Sequence, residues 1–198
     1  MGFFDTVVLT LALAATSLAA PTSAVLSHKG RVISPMHFTG SVTPGGPVLD
    51  LQGSVQELIP QILKLDPKWT PPSGWSPNKA AAVKRYFHGD PNCDVPGDPA
   101  PEQELEREVI PYLQNLGTGN CGAYAYTCSR VSCAWGAAVF LCNQTGAEIH
   151  VSCERIGDAA QHIVDWCDTR IGTTPFYEAK GVWPDTTGYF IEVVMDDC

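Results

Sequence analysis

The chain has 198 residues, a formal net charge of −9 and eight cysteines, a length suited to one domain or two small ones. Its charge is unevenly placed: residues 86–198 hold five basic against seventeen acidic residues, a net of −12, whereas residues 1–85 hold seven basic against four acidic, a net of +3. Acidity on that scale repels phosphate backbones and anionic headgroups, which argues against nucleic acid and a bare anionic membrane as partners.

The first feature is an apolar or small-residue run from Val7 to Ala20 that closes on Leu18-Ala19-Ala20 like a peptidase cut. It is too short for a membrane span and reads as a signal peptide over residues 1–20, although the residues before it include Asp5 and no Lys or Arg. An extracellular location and no membrane span are therefore expected.

Residues 21–85 are rich in proline and free of cysteine, and the stretch from Trp69 through Pro71, Pro72 and Trp75 to Pro77 cannot form a regular element. The one helical pattern, Val55 to Leu63 with Leu58, Ile59 and Ile62 apolar, is cut by Pro60 and promises at most a short docking helix. The segment reads as a propeptide or disordered region. It ends at Lys84-Arg85, a pair resembling the cleavage site of kexin-type fungal processing proteases and lying just before the first cysteine. Mature protein would then begin at Tyr86.

All eight cysteines, Cys93, Cys121, Cys128, Cys133, Cys142, Cys153, Cys167 and Cys198, lie in 86–198. An even number at high density behind an export signal is a disulfide framework. Four bridges are expected, with Cys198 tying down the last strand; the spacing leaves the pairing open. Cys128 and Cys133 have a gap that could face zinc, but paired Cys-x2-Cys knuckles are missing, so no metal site and no cofactor are expected.

Within 86–198 the spacing predicts a helix over 102–116, with Pro99 and Pro101 at its start and Glu102, Glu104, Glu106 and Glu108 at the positive end of its dipole. Leu105, Val109, Tyr112, Leu113 and Leu116 form its apolar face, and Pro111 must kink it. Two strands, 130–135 and 137–142, follow, then a turn at 143–146 into a strand over 147–151. A second helix carries Ile156, Ala159, Ala160, Ile163, Val164 and Cys167 on one stripe, with Ser152 as its cap. A weak strand at 176–180 and a strong one at 189–195 close the chain. The order implies α+β: a small α/β sandwich of two helices on an antiparallel four- to five-stranded sheet, stapled by disulfides.

The run Cys128-Ser-Arg-Val-Ser-Cys133, then Ala138 to Asn143, the alanine-rich helix ending at Cys167, and Phe190 to Val194 before a terminal cysteine resemble small secreted cysteine-rich proteins of filamentous fungi. These include killer-toxin-like proteins and necrosis-inducing extracellular effectors. The resemblance covers about residues 105–198. It implies a compact α/β sandwich acting on a host or competitor outside the cell, without a catalytic site. Cys93 and Cys121 are additional to the commoner framework, and the acidity departs from basic killer toxins that act on channels.

Chemistry has one foothold. Strand alternation puts Glu148 and His150 on one face, with Glu154 and Arg155 nearby, an acid–base arrangement suited to phosphodiester cleavage. Ribonucleases of that kind need a second histidine on another strand, and neither His162, on a helix, nor His88, in a loop, provides it. Tyr124, Tyr126, Trp135, Trp166 and Trp183 could make a sugar platform, but in a domain this small most of them are expected to be core. Asn143-Gln-Thr145 is a glycosylation sequon in a turn, where the acceptor would be exposed. The function expected is a secreted, non-enzymatic effector- or toxin-like protein recognising a host or competitor surface protein or glycan. A cell-wall glycan-binding module is the alternative and a small ribonuclease the third reading.

Overall fold

A computed structural model describes residues 25–27, 30–70 and 87–198. The fold is mixed α/β with antiparallel sheets and four disulfides. The main sheet has the order β1-β2-β7-β8-β13-β12, formed by Val25–Ser27, Arg31–Ser34, Cys128–Ala134, Ala137–Asn143, Tyr189–Met195 and Gly181–Pro184. Its pairs are antiparallel except β2 with β7. A second sheet, β4-β3-β6-β9, joins Leu49–Gln52, His37–Gly40, Asn120–Ala123 and Ile149–Ser152. A small third sheet, β10-β11-β5, joins Asp168–Arg170, Tyr177–Ala179 and Ala100–Pro101.

The expected pair of helices on a single sheet is thus only part of the architecture, because residues before the cysteines supply strands to both larger sheets and a helix of their own. Helix α1, Val55–Leu65, buries Val55, Leu58 and Ile62 and packs on β7. It starts where the Glu57 carboxylate accepts a hydrogen bond from the Ser54 backbone N–H at 2.6 Å and runs through Pro60. On β3, Phe38 is fully buried, as is Met36 just before it. Residues 31–65, inside the expected propeptide or disordered segment 21–85, are therefore ordered and paired with the later strands. Their physical basis is alternation: His37-Phe38-Thr39 and Leu49-Asp50-Leu51-Gln52 each place apolar residues on one face, and the Pro/Gly turn between them makes a hairpin. The signal-peptide residues and Lys84-Arg85 lie outside the described residues.

The expected helix over 102–116 is divided. Short α2, Glu102–Glu104, leads into a π-helical turn, Leu105–Val109, and then α3, Ile110–Gln114. The Ile110 N–H donates to Leu105 O, five residues back. A wide turn here is the local answer to Pro111, whose ring would collide with a carbonyl one α-turn earlier and whose donor is missing. Helix α4, Cys153–Cys167, buries the expected stripe of Ile156, Ala159, Ala160, Ile163, Val164 and Cys167. Ser152 occupies its N-cap position without a side-chain cap bond. Gly157 lets α3 come close: a Cβ there would meet Gln114 Cγ at 2.8 Å.

The pairings are Cys93–Cys167, Cys121–Cys153, Cys128–Cys142 and Cys133–Cys198. Cys133–Cys198 ties the chain beyond β13 to the end of β7, as expected of Cys198. Cys128–Cys142 spans neighbouring strands on the outer face of the main sheet, where Phe140, Phe190 and Val194 form a second apolar cluster. Arg31 roofs this cluster, its guanidinium 4.9 Å from the Phe190 ring centroid and paired with buried Glu192. No helix among the described residues is long and apolar enough to cross a membrane.

Candidate functional site

The second sheet has one dry face and one polar face. Phe38, Cys121 and Val151 stand opposite one another on the dry side. The strand period then sends the adjacent row, Gln52, His37, Gly122 and His150, to the other side across all four strands. Glu148, directly before β9, leans over this row.

His37 is the centre. Its Nδ1 lies 2.6 Å from Glu148 Oε1 and its Nε2 lies 2.9 Å from Asp50 Oδ1. His150 Nε2 is 3.3 Å from the same Glu148 oxygen, and the two imidazoles meet edge to face with centroids 5.1 Å apart. Tyr124 lies nearly parallel to His37 and accepts a hydrogen bond from Gln52 Nε2 at 3.2 Å. The hydrogen bond to Glu148 foremost, and that to Asp50, raise the His37 pKa above its ordinary value against the opposing effect of burial. His37 is thus held between two carboxylates, and both favour its protonated form.

Gly122 makes the approach of the two rings possible. A Cβ there would stand 3.0 Å from His150 Nδ1 and 3.1 Å from its Cε1. Its φ is not positive, so space above the sheet, rather than backbone conformation, calls for glycine at this position.

The expected closeness of Glu148 and His150 is found, but Arg155 turns elsewhere: it pairs with buried Asp185 and lies over the Phe87 and Tyr189 rings. His162 is buried against Trp183 and Trp166. The second histidine that strand chemistry required is His37, from the segment set aside in the sequence. Its partner Asp50 and the glycine between the rings were also missed. The proline-and-glycine turn from Thr43 to Pro47 between two alternating runs was the available signal.

A groove of about 640 Å³ lies elsewhere, between the start of α2 and the turn joining β10 to β11. Solvent-facing Ile171, Phe176, Tyr177 and Met195 line it beside Glu102, Glu104 and Glu106. Burial, then the neighbouring charges of Glu106, Asp168 and Asp165, raise the Glu102 pKa. These carboxylates crowd one another, so a cationic partner would relieve them.

The expectation that most of the five aromatics are core holds for Trp183, 1% exposed and stacked on Phe87, but not for Tyr126, Trp135 and Trp166, which are exposed. Tyr126 and Trp135 flank opposite ends of β7, a strand that itself spans about 20 Å, and Trp166 stands on α4. They make no single surface. The expectation that Asn143 is exposed is also corrected: it is 3% exposed. Its Nδ2 lies 3.1, 3.0 and 2.7 Å from the carbonyls of Ala123, Tyr124 and Ala147, and its Oδ1 accepts from the Thr145 backbone and hydroxyl. The sequon asparagine knits the turn together from inside.

No family model, curated protein or solved structure matches the chain. Its chemistry must be read from these two surfaces.

Proposed function

We propose that the protein works outside the cell as an effector-like or toxin-like protein that recognises a host or competitor surface. The observation that carries this reading is the groove of Ile171, Phe176, Tyr177 and Met195 beside three glutamates. Exposed apolar side chains gathered in one concavity mark an interaction site, and the carboxylates select a partner presenting Lys or Arg next to apolar residues. Four disulfides suit such a protein to proteolytic surroundings, since each closes a loop of the unfolded chain. The histidine cluster, by contrast, lies on an open sheet face rather than in a water-excluding cleft, which favours recognition over catalysis.

The test is a cell-death or growth-inhibition assay with purified, disulfide-intact protein, alongside a Phe176→Ala/Glu104→Lys variant of unchanged thermal stability. Activity in the native protein and its loss in the variant are expected. Inactivity of the native protein on both host tissue and competing microbes would end this reading.

One observation favours a second reading, a small secreted ribonuclease: His37 and His150 stand on different strands with Glu148 between them, the arrangement of groups that general acid–base cleavage requires. RNA cleavage by the native protein above that of His150→Ala would establish it, and equal rates would dismiss it.

A further inference from the structure

We propose that His37, Glu148 and His150 form a divalent-metal site of the zinc type, with Asp50 as its outer-shell support. Among the described residues these three are the one group of histidine, cysteine and carboxylate side chains gathered closely enough to hold an ion, each offering an atom within 4.8 Å of the other two. Ligands around a tetrahedral zinc, bound at about 2.0–2.2 Å, stand roughly 3.3–3.5 Å from one another. Glu148 Oε1 is already 3.3 Å from His150 Nε2. Its 2.6 Å separation from His37 Nδ1 is a hydrogen bond, which opens by under about 1 Å when the ion enters. Zinc takes the place of the proton held between His37 Nδ1 and Glu148, and that proton leaves to solvent. Two nitrogens and one carboxylate oxygen fill three positions and leave the fourth, toward the open face, for water.

Two further observations set this cluster apart from an ordinary surface group of polar residues. First, the His37 nitrogen facing away from the cluster is 2.9 Å from Asp50 Oδ1. A carboxylate accepting the far N–H of a metal-bound imidazole fixes the ring's tautomer and orientation and raises its donor strength. Second, Gly122 clears the space beside the His150 ring, a vacancy in the row of side chains that two packed imidazoles need and an ordinary strand position does not. The ligands come from β3, β9 and the residue preceding β9, and β6 holds these strands in register. The site is thus built on sheet rather than on loops. A domain with a net charge of −12 over residues 86–198 also draws cations toward its surface.

This inference does not depend on the effector reading. Native, tag-free protein is freed of metal with chelator, its four disulfides are verified by mass, and Zn²⁺ is titrated calorimetrically. One ion per chain is expected. His150→Ala and Glu148→Gln each remove saturable binding. Asp50→Asn weakens it by about 10–100-fold, and Gly122→Ala weakens it although it alters no ligand. Because a substitution can disturb the sheet, the unsubstituted protein supplies an independent measurement: X-ray absorption of the zinc-loaded form shows two imidazole ligands and a low-coordinate site. Binding that persists in both His150→Ala and Glu148→Gln, or an absorption spectrum without imidazole, overturns the proposal. So does the absence of saturable binding by the native protein.

Discussion

Replacing Phe38 with alanine tests whether the cysteine-free segment belongs to the working fold. Phe38 has no exposed surface and belongs to the main core. Its ring lies so close over Gly119 that a Cβ there would be 2.0 Å from Phe38 Cε2. Because β3 sits between β4 and β6, the ring is walled in and the site cannot close by a small shift of an edge strand. Truncating a buried phenylalanine costs about 3–5 kcal/mol, a large share of the roughly 5–15 kcal/mol that holds a domain together. At about 2–4 °C per kcal/mol for a chain of this length, the midpoint should fall by roughly 6–20 °C. Guanidinium and thermal unfolding with the disulfides intact, followed by tryptophan fluorescence, measure this directly. A loss below about 1 kcal/mol would refute the reasoning, since only a strand that is dispensable to the core could be emptied so cheaply.

Cleavage after Arg85, where the sequence places it, should leave the N-terminal piece bound to the remainder under native conditions, because β2, β3 and α1 are paired or packed against later elements. Denaturing gels without reductant should separate the two, since every disulfide joins residues beyond 92; recovery of the later piece alone from a native column would contradict this. Trp135→Asn should stabilise the protein by about 1 kcal/mol, because Trp135 and Gly136 both have positive φ in a two-residue hairpin turn where Asn-Gly is the favoured pair; a lower thermal midpoint would count against it. Peptide mapping of secreted protein should find Asn143 without glycan, its side chain being committed to the turn, and an intact glycopeptide would show that the turn opens. In chelator, His37 should titrate above its ordinary range by NMR, so that its contribution to stability is complete below about pH 6.5 and is lost as pH rises through the folded-state pKa. A titration at or below the ordinary value would remove the ion pairs from the account.

What the sequence disclosed was the part governed by strong local periodicity. The α4 stripe from Ile156 to Cys167, the β7–β8 hairpin and the closing strand are each written in apolar spacing, and the cysteine count announced four bridges. The pairing was not legible, because eight cysteines permit about a hundred connectivities and only the sheet register brings Cys128 opposite Cys142. The larger gap concerned residues 31–65. High proline content draws the eye away from two short alternating runs, yet proline in this segment lies largely where it does no harm: Pro35 between β2 and β3, and Pro44 and Pro47 in the hairpin turn.

The same segment carries half of the site. His37 and Asp50 are separated from Glu148 and His150 by about a hundred positions, and only the adjacency of β3, β6 and β9 unites them. The distribution of crosslinks gives the arrangement its sharpest physical consequence. One disulfide, Cys121–Cys153, locks β6 to α4 and so fixes the floor beside His150, whereas His37 has no covalent tie and is positioned by backbone pairing, by its hydrogen bonds to Glu148 and Asp50 and by the burial of its neighbours Met36 and Phe38. One half of the cluster is covalently fastened and the other is held by packing. Losing the packing, as in Phe38→Ala, should therefore disperse the histidines under conditions in which every disulfide remains closed.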